Sequence, residues 1–248
     1  MRKNKILLRI SLVAFLAFAV LFTSCSNDDD EKEVIIDDQP GEISGLGDAP
    51  GELTGIEFTL PNGVELEGDI YGASSQYSLK TKGDEVEESD FDNLKASVNV
   101  IGSGKWVQVA VRLKNLTNRD IDVIFPARLV VKSLSNRYQN GVLLKKTKTT
   151  VLANETHSVA LLMYCGNKNL SPSSSYQKYE WAVISNSSLI VDLCNRLANK
   201  KINYEEFTDS KSVYGNQVGP LQSILWRLTD GSGLSDSDIE YIESLPNS

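Results

Sequence analysis

The chain is poor in the residues that do chemistry. Its 248 residues include one histidine, His157, and three cysteines. A lone histidine and the lack of any CxxC pair leave no zinc ligand set. No GxSxG, HExxH, P-loop or dinucleotide fingerprint is present. The expectation is a protein that is not an enzyme, with no catalytic residue, no metal and no cofactor other than covalent lipid. Asp230–Ser235 has the glycine spacing of a calcium loop, but its first ligand position falls on Leu228, which offers no oxygen. Long apolar runs are also scarce. The one at Ile10–Phe22 is about 13 residues, short of the ~20 needed to cross the hydrocarbon core. Positive charge is concentrated at the start: residues 1–24 hold four of the 25 basic residues and no acidic one, so the remainder carries a formal charge of −12. That excludes nucleic acid as a partner and docking to anionic lipid through a basic patch.

What is present begins with the first 25 residues. Arg2, Lys3, Lys5 and Arg9 precede the apolar run, which ends in Leu21-Phe22-Thr23-Ser24-Cys25. These are the basic, apolar and small-residue regions of an export signal. A cysteine at the cut resembles the bacterial lipoprotein signal. The resemblance implies that Cys25 is acylated, becomes the first mature residue and holds the protein on a membrane. The acidic run at 28–33 resembles the export tag of surface lipoproteins of the Bacteroidota type, and reads equally as a solvated spacer. The expected location is the bacterial cell envelope, at the outer membrane and surface-exposed.

Along the mature chain, residues 25–51 are acidic and punctuated by Pro40-Gly41, Gly45, Gly47 and Pro50-Gly51, which reads as a flexible tether. From Thr54 the pattern becomes period two. Ile56, Phe58 and Leu60 alternate with polar residues, and Pro61-Asn62-Gly63 is a turn. The clearest strand places Val107, Val109, Val111 and Leu113 on one face. Ile121, Val123 and Phe125 continue the alternation, and Pro126 marks a bulge or an edge. Asn115 and Asn154 sit in sequons but are read as turn residues. About seven strands joined by short turns predict an antiparallel immunoglobulin-like β-sandwich over 52–168. Residues 169–248 then read as a loop and a small helical subdomain, with Tyr179–Ile184 as one further strand. Leu189, Ile190, Leu193, Cys194 and Leu197 recur at helical spacing behind an N-cap at Ser187 or Ser188. Val218, Leu221, Leu225 and Leu228 form a second helical stripe. Ser235 and Asp238 form a capping box for a third helix.

With Cys25 used by the anchor, Cys165 and Cys194 form an even pair. In an oxidising compartment two cysteines point to a disulfide, and two free thiols are the alternative. A third reading comes from the segments Leu162-Met163-Tyr164-Cys165 and Leu221-Gln222-Ser223-Ile224-Leu225-Trp226. An aromatic-Cys after a strand, followed by a Gln in a helical segment before Trp, resembles the thioester domains of bacterial surface adhesins. That resemblance implies an internal thioester between Cys165 and Gln222, formed with loss of ammonia, which captures an amine of a host protein. Trp106 is read either as a solvent-facing contact or as packing. The functional expectation is a tethered binding or adhesion module for a protein or glycan ligand. The alternatives are a covalent adhesin and an accessory subunit of an envelope complex.

Overall fold

Alternating apolar residues bury one face of a strand, and two strands of this kind dominate the architecture. In the computed structural model, which describes residues 33–73, 98–207 and 211–248, β5 (Val107–Asn115) pairs antiparallel with β10 (Thr156–Cys165) along eight residue pairs. Val107, Val109, Val111 and Leu113 face Val159, Leu161 and Met163, and each of these is at most 1% exposed. The expected export signal, Cys25 and most of the acidic run lie outside the described residues.

The remaining strands close this pair into a ring. β3 (Ile70–Gly72) pairs with β5 and with β11 (Lys178–Ser185). β11 pairs with β7 (Leu129–Ser133), β7 with β8 (Gly141–Val142), and β8 with β10. Six antiparallel strands therefore form a closed barrel, small enough for side chains to fill it. This corrects the expected immunoglobulin-like sandwich. A sandwich needs two sheets with free edges, whereas β5 hydrogen-bonds to strands on both of its sides and the ladder returns to itself. β11, assigned from sequence to the C-terminal part, is a stave of the barrel, so the boundary at 168 cuts through the fold. β1 (Gly55–Glu57) and β2 (Val64–Leu66) add to β11 and β5, and β4 (Asn99–Gly102) adds to β10 in parallel.

β6 (Ile121–Phe125) and β9 (Thr147–Val151) form a separate two-stranded ladder. Its register continues that of β7 and β8, so β6–β7 and β8–β9 are the arms of one long hairpin. Pro126, which cannot donate to a ladder, lies at the interruption, and Arg128 there has φ 72°. Beyond this break Val123 and Phe125 fold into the barrel core, where Phe125 meets Phe58 and Trp181 at 6.1 and 5.7 Å between ring centres. Asn115, 1% exposed, pins the end of β5. Its amide donates to the carbonyls of Arg119 and Val151, and its oxygen accepts from the Thr117 N–H.

The outward residues of the same strands make a second core. Val130, Val142, Leu144, Leu162 and Tyr164 pack against α1 (Ser188–Leu197), α2 (Lys211–Thr229) and α3 (Asp236–Ser244). The helices are thus a layer on the barrel wall. Ser187 is the N-cap of α1, and the Ser235–Asp238 capping box opens α3 as expected. α2 starts earlier than its apolar stripe suggested and carries Pro220 inside it. Lys145 joins this layer to the turn at Tyr204–Glu206. Its ammonium lies 2.6 Å from a Glu206 carboxylate oxygen and donates to the Lys200 carbonyl at the same distance.

The lead 33–51, expected to be part of the tether, is fastened to the fold. Ile43 and Leu46 are 2% and 0% exposed in the helix-layer core. Gly41 donates to the Leu228 carbonyl and Gly47 to the Gly166 carbonyl, each at 2.8 Å. Gly47 has φ 62°, and a Cβ there would lie 1.9 Å from the Thr229 oxygen, so only glycine allows this approach. Truncating a fully buried leucine costs about 2–5 kcal/mol. Leu46→Ala is therefore expected to lower the free energy of unfolding, read from a denaturant melt, by an amount in that range. A free tether would show no change.

Candidate functional site

Cys165 ends β10 and Gln222 sits in α2, and the structure brings the two together. Gln222 is 4% exposed. Its side-chain oxygen accepts from the Cys165 N–H at 2.8 Å, and its amide nitrogen donates to the Cys165 carbonyl at 3.0 Å. β5 stops opposite Met163 and leaves this residue without a strand partner on that side. The glutamine amide offers the same donor and acceptor as a peptide group, so it extends the ladder by one pair. These bonds lie along the sheet, whereas a strand side chain stands across it. The Cys165 thiol accordingly packs in the barrel core, among the residues of the Val107–Met163 cluster.

Cys194 belongs to the other core, on α1 with Ile190, Leu193 and Leu197. The barrel wall separates the two cysteines, and both are free. The expected Cys165–Cys194 disulfide is therefore corrected. A bridge needs Cα atoms within about 7 Å and Cβ atoms that point at each other, and these two thiols occupy different cores. Burial raises both pKa values: Cys194 is pushed up to about 12, with the Arg128 charge pulling it back, and Cys165 goes higher still, with a further push from Asp230. Neither is a nucleophile at neutral pH.

A surface site lies at the end of the barrel where β10 finishes. A groove of about 530 Å³ opens between the lead segment at Pro50–Leu53 and the turn that joins β7 to β8. Glu52, Lys132, Leu134, Tyr138 and Glu180 are among its lining residues, and the Lys132 ammonium lies 3.1 Å from Glu52. Backbone hydrogen bonds connect this turn to the neighbouring loops. Ser171 donates to the Arg137 carbonyl, Gln139 to Ser171, and Ser173 to Trp106. The same end carries exposed rings: Trp106 at 42%, Tyr176 at 92% and Tyr71 at 36%. Lys105 stands 5.4 Å from the Trp106 ring centre and Lys178 5.6 Å from that of Tyr71. Trp106 is thus partly exposed to solvent rather than packed into either core. Comparison with protein-family models, curated proteins and solved structures found no match.

The sequence singled out Trp106 but not the groove. Its lining comes from four separated stretches, and no periodicity links Glu52 to Lys132, Tyr138 or Glu180. Among the described residues no group of three or more His, Cys, Asp or Glu side chains is arranged to hold a metal ion.

Two measurements check the cysteine geometry. In the fragment from Ser26 onward, a thiol reagent is expected to label neither cysteine in the native state, and both after unfolding without reductant. The intact mass is expected to match the unmodified sequence. Loss of one ammonia that disappears in Cys165→Ala would instead mean that sulfur has joined Gln222. Gln222→Leu leaves a buried N–H and carbonyl unmatched, and its expected cost is about 2–4 kcal/mol in a denaturant melt.

Proposed function

We propose that this protein is a lipid-anchored lipoprotein of the bacterial cell envelope that works as a non-enzymatic binding module, with the grooved end of its barrel as the ligand face. The anchor rests on the export signal and on Cys25 at its cut. The observation that supports the binding role is the coincidence, at one end of the barrel, of an open groove and three exposed aromatic rings. Tyrosine and tryptophan offer an apolar face beside a polar group, which suits ligands of mixed character. A groove of several hundred Å³ is of ligand-binding size, and its mixed polar and apolar lining suits a polar ligand with apolar faces. The ligand class that this face suits is a neutral glycan. Sugar rings present apolar faces to stack on Trp106 and Tyr176, and Glu52, Lys132 and Glu180 supply acceptors and donors. The formal charge of −12 carried by the chain after residue 24 disfavours polyanions.

The fragment from Ser26 onward, applied to an array of neutral and acidic polysaccharides, is expected to retain at least one neutral glycan. Trp106→Ala combined with Tyr138→Ala is expected to weaken that binding about tenfold or more, the equivalent of ~1.4 kcal/mol, with an unchanged melting temperature. An array with no retained glycan, or binding indifferent to both substitutions, would overturn the ligand assignment. Separately, Cys25→Ser is expected to release the protein from the membrane fraction. A variant that stays membrane-bound would overturn the anchor.

A further inference from the structure

The anchor and the fold together restrict how the barrel can stand on a membrane. Glu33 is the first described residue, and it is fastened to the fold. Arg128 grips both of its carboxylate oxygens, at 2.5 and 3.3 Å, and also donates to the Ser185 carbonyl at 2.9 Å. Asn186 holds the next residues: its side chain donates to the Val34 carbonyl at 2.7 Å, and its carbonyl accepts from the Ile36 N–H at 2.9 Å. Only seven residues, eight Cα-to-Cα steps, separate Cys25 from Glu33. Whatever their conformation, they reach at most about 29 Å. A compact body of the length of Glu33–Ser248 is roughly 45 Å across. The link is thus shorter than the body, and the end that carries Glu33 cannot turn away from the bilayer.

That end is where β11 finishes and β7 begins, opposite to the groove. It exposes aliphatic side chains: Val34 at 75%, Ile56 at 47% and Ile35 at 43%. Asn186 gathers them, since its N–H reaches the Thr54 carbonyl beside β1 while its amide holds Val34. Leu116 and Leu152, about half exposed, follow β5 and β9 at the same end. The formal charge of the mature chain is −12, which gives no overall attraction to anionic lipid.

We propose that this aliphatic end, with Val34, Ile35 and Ile56 at its centre, rests on the phospholipid surface that holds the Cys25 lipid and so points the grooved end outward. The inference rests on acylation of Cys25. Contact is made by apolar side chains entering the interfacial zone, and raised salt leaves it unchanged.

The test uses full-length acylated protein reconstituted in phosphatidylcholine vesicles that contain a nitroxide-bearing lipid. A fluorophore is attached at Ile56→Cys or, at the opposite end, at Tyr176→Cys. The native cysteines are buried and stay unlabelled. Quenching at Ile56→Cys is expected to exceed that at Tyr176→Cys severalfold, in low and high salt alike. Adding Val34→Asp and Ile35→Asp, with the melting temperature checked, is expected to reduce the Ile56→Cys quenching at least twofold. Equal quenching at the two ends overturns the orientation, and quenching indifferent to the aspartates overturns the apolar contact. Protein that does not float with the vesicles at all means that Cys25 carries no lipid, which is a failure of the anchor and is read separately.

Discussion

Strand β10 is paired along both edges and packed on both faces, and the rest of the molecule depends on it. Along one edge it meets β5, which closes the barrel; along the other it meets β4 and then β8. Its residues alternate between two cores. Val159, Leu161, Met163 and Cys165 fill the barrel, while Leu162 and Tyr164 meet the helices. A strand buried on both faces reads as an apolar run, and Val159–Cys165 is one. Beyond Val107, where β5 begins, Gln222 supplies the missing hydrogen-bond partner, so α2 is joined to the barrel by packing and by a ladder-like pair.

This arrangement gives the barrel two different ends. One is crossed by the lead segment, held by the Glu33–Arg128 pair, and exposes aliphatic side chains. The other is built from the turns after β7 and β10 and carries the groove and the exposed rings. The lead runs between them. Gly47 bonds to Gly166 at the grooved end, and Thr54 accepts from Asn186 at the other. The segment that lines the groove is therefore continuous with the one fastened at Glu33.

Much of the local structure was legible. The period-two face of Val107–Leu113, the break at Pro126, the α1 stripe and the Ser235–Asp238 box depend on neighbours in sequence. The lead was misread because Gly, Pro and Asp dominate it, and Ile43 and Leu46 are too few to show a period. Closure was misread because alternation reports that one face of a strand is buried, not which strand lies beside it. Cys165 and Gln222 were singled out as a pair and do meet, but through the cysteine's backbone, which no spacing rule reveals.

The sequence by itself determined most of the elements and the charge, and it carries the basic, apolar and small-residue pattern that ends at Cys25, because each is a property of contiguous residues. Only the tertiary structure decided that the strands close into a barrel and that the two thiols lie in separate cores. It also decided that the lead packs down from Glu33 and that groove and aliphatic patch occupy opposite ends. Each of these depends on pairings between residues far apart in the chain, such as Glu33 with Arg128 and Val107 with Met163. Those pairings are selected by the packing of the whole and leave no local trace.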